Sequence, residues 1–393
     1  MKRTKKSQKK TKILLLLIVL TAILSITATY AWFSTQKDVE ISTMRLNIEV
    51  AESLQISLDG ETWTNSIEIQ NMRQFYGTYG VDTTHQAVSG DNTNYVPTEL
   101  LPVSTTGAVS GGKLQFMKAK SVSGKTMVAE DCTENIGATD AVATRQTDNK
   151  NHPYLVFDMY LNNISKQTND PLRLNKGSKV WVDDDFDDVD AGKGTEGTGL
   201  ENCVRVAFVP YEDKAIDSAT ATGEGVRDID GSTSARTTAL IWEPNHLEHT
   251  PTALANTTRT IPKDGEGNIN AAVATYGIIF NSDADVTIDN TDADAAISSK
   301  TAAQTVLTPT YDASGTTAVQ ALGVNLPPNK ITKVRTYVWI EGQDIDCINT
   351  ASMGGMLQVK LRLEKEDKGG GSSVTYDGTG PSATPTPTAT STP

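Results

Sequence analysis

The chain has 393 residues, with 35 basic and 48 acidic side chains, a net charge of −13 and only three cysteines. Seven of the basic residues lie in the first twelve positions; the remainder carries 28 against 48, or −20, which repels nucleic-acid phosphates and anionic membrane surfaces. Three cysteines make no disulfide scaffold, so an apolar core must hold one large domain or two modest ones.

Met1 to Lys12 is cationic, Ile13 to Ile26 almost wholly apolar, and the small residues Thr27-Ala28-Thr29-Tyr30-Ala31 precede a polar run. This is the layout of a secretory signal peptide, with the cationic end held on the cytoplasmic side. Cleavage after Ala31, with Thr29 two positions before the cut, leaves Trp32 as the first mature residue. Ile13 to Phe33 is also long enough to cross a bilayer as a helix. Residues 1–31 are therefore a signal peptide or a membrane anchor, a hydrophobic leader helix in either case. Both readings place the rest outside the cell, secreted or at its surface, with the membrane met only through this segment.

Beyond the leader the pattern has period two. Met44, Leu46, Ile48 and Val50 alternate with Arg45, Asn47 and Glu49, a strand with one wet face. Leu54, Ile56 and Leu58 continue it, Asp59-Gly60 supplies a turn, and Trp63, Ile67 and Ile69 return. Further strands are expected around Leu155–Leu161, Val204–Phe208 and Val334–Ile340, with Trp339 in the core. The cleanest is last: Leu357, Val359, Leu361 and Leu363 inside, with Gln358, Lys360, Arg362 and Glu364 outside. Long amphipathic helices are scarce. The expected fold is all-β with minor α, an antiparallel jelly-roll or Greek-key sandwich over residues 32–367. Polar insertions are read at about 107–151, 183–199 and 215–328, and within the last Ala239–Trp242 and Tyr276–Phe280 could form a lobe. Residues 368–393 fall to Gly, Ser, Thr, Ala and Pro and are expected to form a disordered tail.

Chemistry is sparsely marked. His246-Leu247-Glu248-His249 has a spacing of three, where a metalloprotease helix needs four, and Pro244 and Pro251 flank it; a surface loop is expected. Asp183, Asp185 and Asp187 open an acidic run that suits calcium weakly, without the Gly and Glu of a helix-loop-helix site. No serine elbow, phosphate loop or dinucleotide fingerprint occurs, so no catalytic residue and no further cofactor is assigned. Cys203 and Cys347 both lie beside strand patterns and are the preferred disulfide pair; the alternative keeps all three cysteines reduced. Mass with and without reductant separates the two.

Ala28-Thr29-Tyr30-Ala31-Trp32-Phe33-Ser34, the polar run after it and the strand from Met44 resemble the start of the TasA/camelysin proteins of Gram-positive bacteria. The strand Leu357–Glu364 is similar to that family's last strand. The resemblance implies a leader cut by a dedicated signal peptidase. It also implies a jelly-roll subunit of extracellular, biofilm-matrix fibres, self-associated through its mature N-terminal segment. Here the donor strand would be Trp32 to Thr43, with Val39 and Ile41 on its buried face. Two alternatives stand beside it. A surface adhesin or glycan-binding protein would display aromatic side chains; a camelysin-like secreted metallopeptidase would cleave casein until a chelator was added.

Overall fold

The structure is a computed structural model. It describes residues 44–50, 54–69, 100–121, 127–133, 154–164, 170–175, 177–183, 199–257, 260–273, 275–278, 318–347 and 356–365, with short pieces at 287–288, 301–303, 306–307 and 310–311. The leader, Thr29, Ala31, Trp32, Val39, Ile41, Asp185, Asp187 and the Thr/Pro tail lie outside the described residues.

In chain order the strands begin with β1 (Met44–Val50), β2 (Leu54–Ser57), β3 (Ser66–Ile69) and β4 (Pro102–Val103). Two hairpins follow, β5 (Val109–Ser110) with β6 (Lys113–Leu114), and β7 (Met117–Ser121) with β8 (Met127–Asp131). Then come β9 (Leu155–Asn163), β10 (Asp170–Leu174), β11 (Lys179–Asp183), the helical turn α1 (Leu200–Cys203) and β12 (Val204–Pro210). Next are β13 (Ile216–Asp217), α2 (Gly223–Arg227), β14 (Leu240–Trp242) and α3 (Pro251–Asn256). The short strands β15 (Tyr276–Ile278), β16 (Thr287–Ile288), β17 (Thr301–Ala303), β18 (Val306–Leu307) and β19 (Thr310–Tyr311) lead to the long ones, β20 (Ala318–Leu326), β21 (Lys330–Glu341) and β22 (Met356–Lys365).

Two large sheets face each other. The first runs β19-β20-β10-β22-β1-β3, with β11 also on β22; the second runs β18-β14-β12-β21-β9-β2, with β13 and β4 also on β21. Their inner faces share one apolar cluster. Met44, Leu46, Ile48, Leu357, Val359 and Leu361 come from the first sheet, and Leu155, Phe157, Val206, Phe208, Val334 and Val338 from the second. Period-two alternation makes this possible, since each strand turns every second side chain inward. At the predicted turn, Gly60 takes φ +73, which glycine reaches without Cβ strain, and the Asp59 carboxylate accepts hydrogen bonds from the Glu61 and Thr62 amides.

The structure corrects two expectations. The sandwich is not wholly antiparallel: β1 lies parallel to β22, β14 to β18 and β4 to β21. The first and last main strands are brought side by side in the same direction, which the whole intervening chain allows. The stretch 215–328 is not one insertion: β14 and β20 are full members of the two sheets, so Ala239–Trp242 belongs to the sandwich, not to a separate lobe. Sheet two also has no wet face along its centre, because β9, β12 and β21 are buried nearly throughout. The outward residues Val156, Ala207, Val209, Tyr337 and Trp339 pack under Val103, Leu114 and Phe116, so the hairpins from the 107–151 insertion form a second core. Phe116 stacks on Tyr154 at 4.1 Å between centroids and meets Trp339 edge-on at 5.2 Å.

On the outer face of sheet one, Glu49 bridges Lys360 at 2.8 Å and Arg362 at 2.6 Å across the parallel pair. Burial pushes the Glu49 carboxyl up, but hydrogen bonds and attraction from those two cations outweigh it and hold the group below its ordinary 4.5. A lowered folded-state value contributes stability above the unfolded value that is lost as pH falls through the folded one. Glu49→Gln is therefore expected to lose about 0.2–1 kcal/mol at pH 7. In urea titrations at a series of pH values, that difference should close as pH drops below 4.5.

Candidate functional site

The densest polar chemistry of the described residues is buried at one corner, where β21 ends, β12 begins and β14 leaves the sheet. Register puts Val204 opposite Ile340, Arg205 opposite Trp339 and Val206 opposite both Val338 and Trp242. This brings Arg205, Glu243 and the loop after Glu341 together. Arg205 is 0% exposed. Its Nη1 donates to the Asn202 and Val204 carbonyls, and its Nη2 donates to Glu243 Oε1 at 2.8 Å and to Asp344 Oδ2. Glu341 accepts from the Trp339 indole at 3.1 Å and from the Gln343 amide at 3.0 Å.

Asp346 organises the other half. Its Oδ2 lies 2.6 Å from His249 Nδ1, and its Oδ1 accepts from the Thr250 amide at 2.8 Å and the Thr250 hydroxyl at 2.7 Å. Thr250 in turn caps α3, its Oγ1 accepting from Ala253 N, with Pro251 opening the helix. The Asp346 amide donates to Asp344 Oδ1 at 2.8 Å. Asn245 donates to the Val180 carbonyl on β11 and the Glu201 carbonyl on α1, tying the corner to sheet one.

The electrostatics follow from burial. Three buried carboxyl groups, Glu243, Glu341 and Asp344, act on the Arg205 guanidinium, and a fourth, Asp346, lies against His249. Loss of water, with repulsion from Asp344 and Glu341, pushes Glu243 up to about 7 despite attraction from Arg205 and His249. Burial likewise raises Glu341. Burial lowers His249, but Asp346 and the other carboxylates outweigh it and the imidazole is raised. Burial lowers its neighbour His246.

Against this geometry the sequence-read residues sort as follows. His246 and His249 do not sit in a surface loop: His246 is 7% exposed and the His249 side chain 1%, because the Pro-flanked segment folds into the corner instead of crossing the surface. Cys203 and Cys347 are brought together, both in the first core and held as thiols, with Cys203 hydrogen-bonded to Cys347 and to the Gly199 carbonyl. Burial, its thiol neighbour and the nearby aspartates push the Cys203 thiol well up, opposite to the activation a nucleophile needs. Cys132 is buried in the second core. Asp183 ends β11 opposite Met356. Trp339 is fully buried and Trp242 6% exposed, while Trp63 and Trp181 are half-buried.

The ends of the chain have a fixed relation to the sandwich. Met44 lies opposite Leu357 and Val50 opposite Leu363. The chain before Met44 therefore joins one end of sheet one and the chain after Lys365 leaves the other. Among the described residues no helix is long and apolar enough to cross a membrane. Comparison of the chain with protein-family models, with curated proteins and with solved structures found no match.

Proposed function

We propose that this chain is an exported structural subunit of TasA/camelysin-like kind, which associates with copies of itself into extracellular fibres. The sheets are wound as a jelly roll, and a signal peptidase frees Trp32 at export. Trp32 to Thr43 then adds as a strand to a neighbouring copy. The observation that carries this reading is the parallel pairing of β1 and β22, which sends the leader side and the tail side to opposite ends of sheet one. A segment leaving one end of a subunit is placed to meet the next copy in a row.

Two further features support it. Val39 and Ile41 are odd-numbered, while the inward residues of β1 are Met44, Leu46, Ile48 and Val50. A straight extension of β1 would turn Val39 and Ile41 away from its own core, so their apolar face suits a separate pairing. At the receiving side, β3 has four residues and its outer edge has no strand partner among the described residues, which offers main-chain groups for strand addition.

The double substitution Val39→Asp with Ile41→Asp tests the donor face. Two carboxylates on a buried strand face cost several times the thermal energy each. The variant is expected to be exported and to melt with the parent, yet sediment as a monomer where the parent forms large particles. Parent-like particles from the variant would contradict the reading.

A further inference from the structure

We propose that His249, Asp344 and Asp346, with Glu243 beside them, hold one divalent cation of the zinc or manganese class. One ring nitrogen of His249 and one carboxylate oxygen from each of Asp344 and Asp346 all lie within 4.8 Å of one another, close enough for small side-chain shifts to bring them onto one ion.

The charge at this corner asks for a cation. Glu243, Glu341, Asp344 and Asp346 bring four carboxyl groups into the interior, beside one guanidinium from Arg205 and one imidazole from His249. An uncompensated buried charge is costly, and an ion at the carboxylates supplies the balance.

Two polar atoms outside this hydrogen-bond network point the same way. Glu243 is 1% exposed, and its Oε2 meets no donor among the described residues. Its other oxygen shares Arg205 Nη2 with Asp344, so the open oxygen sits on a carboxylate held against the cluster. His249 Nε2 is also buried without a partner among the described residues, on a side chain 1% exposed. The donor set decides the ion: an imidazole with carboxylates suits zinc or manganese, whereas calcium and magnesium prefer oxygen alone. Such an ion would pin the loop after β21, the segment before α3 and the end of β14 to one point. The site stands on these residues alone and does not depend on fibre assembly.

The test uses the whole exported protein, dialysed against chelator and then given zinc, manganese, calcium or magnesium as chloride salts. Bound metal and melting temperature are measured on the parent, on His249→Gln, which keeps a hydrogen-bonding group toward Asp346, and on Glu243→Gln, which keeps an acceptor for Arg205. The expected result is one zinc or manganese ion per parent chain with a raised melting temperature. His249→Gln should weaken binding at least about tenfold. Should that variant fail to fold, weakened binding by Glu243→Gln carries the same meaning. Overturning results are no stoichiometric binding by the parent, tighter binding of calcium than of zinc or manganese, or equal affinity in parent and folded variants.

Discussion

Arg205→Met is expected to destabilise the fold by about 3–5 kcal/mol, the scale of breaking a buried ion pair from one side. Methionine fills much of the same space, so the loss reports charge more than cavity. The guanidinium bridges Glu243 and Asp344 and satisfies two carbonyls at the mouth of β12, with its side chain 0% exposed. Without it both carboxylates stay in the interior with less to offset them. Adding Glu243→Gln to the same chain should restore part of the loss, because it removes one orphaned charge. Urea unfolding at pH 7 measures both. A loss below about 1 kcal/mol for the single variant would mean that water reaches the corner and screens it.

The second large effect lies on the outer face of sheet two. Asp158 on β9 sits opposite Arg335 on β21 and binds its Nε at 2.9 Å, and Lys333 reaches the same carboxylate at 3.0 Å. All three side chains are at most 4% exposed, beneath Tyr211, whose ring lies 5.6 Å from the guanidinium carbon and 5.9 Å from Lys333 Nζ. Asp158→Asn keeps the shape and removes the carboxylate that Arg335 and Lys333 share. The two neighbouring cations then stay buried without that shared carboxylate, beside the Ile229 carbonyl and the Tyr211 ring. The expected cost is again about 3–5 kcal/mol in the same urea assay. An unchanged midpoint would show that the cations move out to solvent, which the packing of Val226 and Ile229 against Tyr160 opposes.

How much of this was legible depended on whether a strand's two faces differ in kind. β1 and β22 alternate strictly between apolar and polar side chains, so their inward residues read directly from the sequence. The outward face of β21 did not. Lys333, Arg335 and Tyr337 resemble a wet face, and the groups that cover them, Asp158, Phe116 and Tyr211, stand more than a hundred residues away in the chain. β20 was hidden for a different reason: Ala-Val-Gln-Ala-Leu-Gly-Val-Asn-Leu lies in a Thr- and Ala-rich stretch, with Gly323 at φ +61 and a register shift in its pairing with β10.

The buried corner was missed because its members look like loops one at a time. Glu341-Gly342-Gln343-Asp344-Ile345-Asp346 reads as a polar turn after an apolar strand, and His249 as part of a Pro-bounded surface segment. One signal was present: acidic residues packed this closely against Cys347, a residue type usually buried, were poor candidates for open solvent. The nearness of Cys203 to Cys347, though not a disulfide between them, was legible because both cysteines follow or precede strands that prove to be neighbours, β12 and β21.

Strand donation is the central claim, and negative-stain electron microscopy of two forms of the exported protein tests it most directly. One form begins at Trp32 and the other at Met44, which leaves β1 whole and removes only the proposed donor. Filaments from the first and folded single particles from the second are the predicted result. Filaments from the chain beginning at Met44, or none from the chain beginning at Trp32, would contradict it.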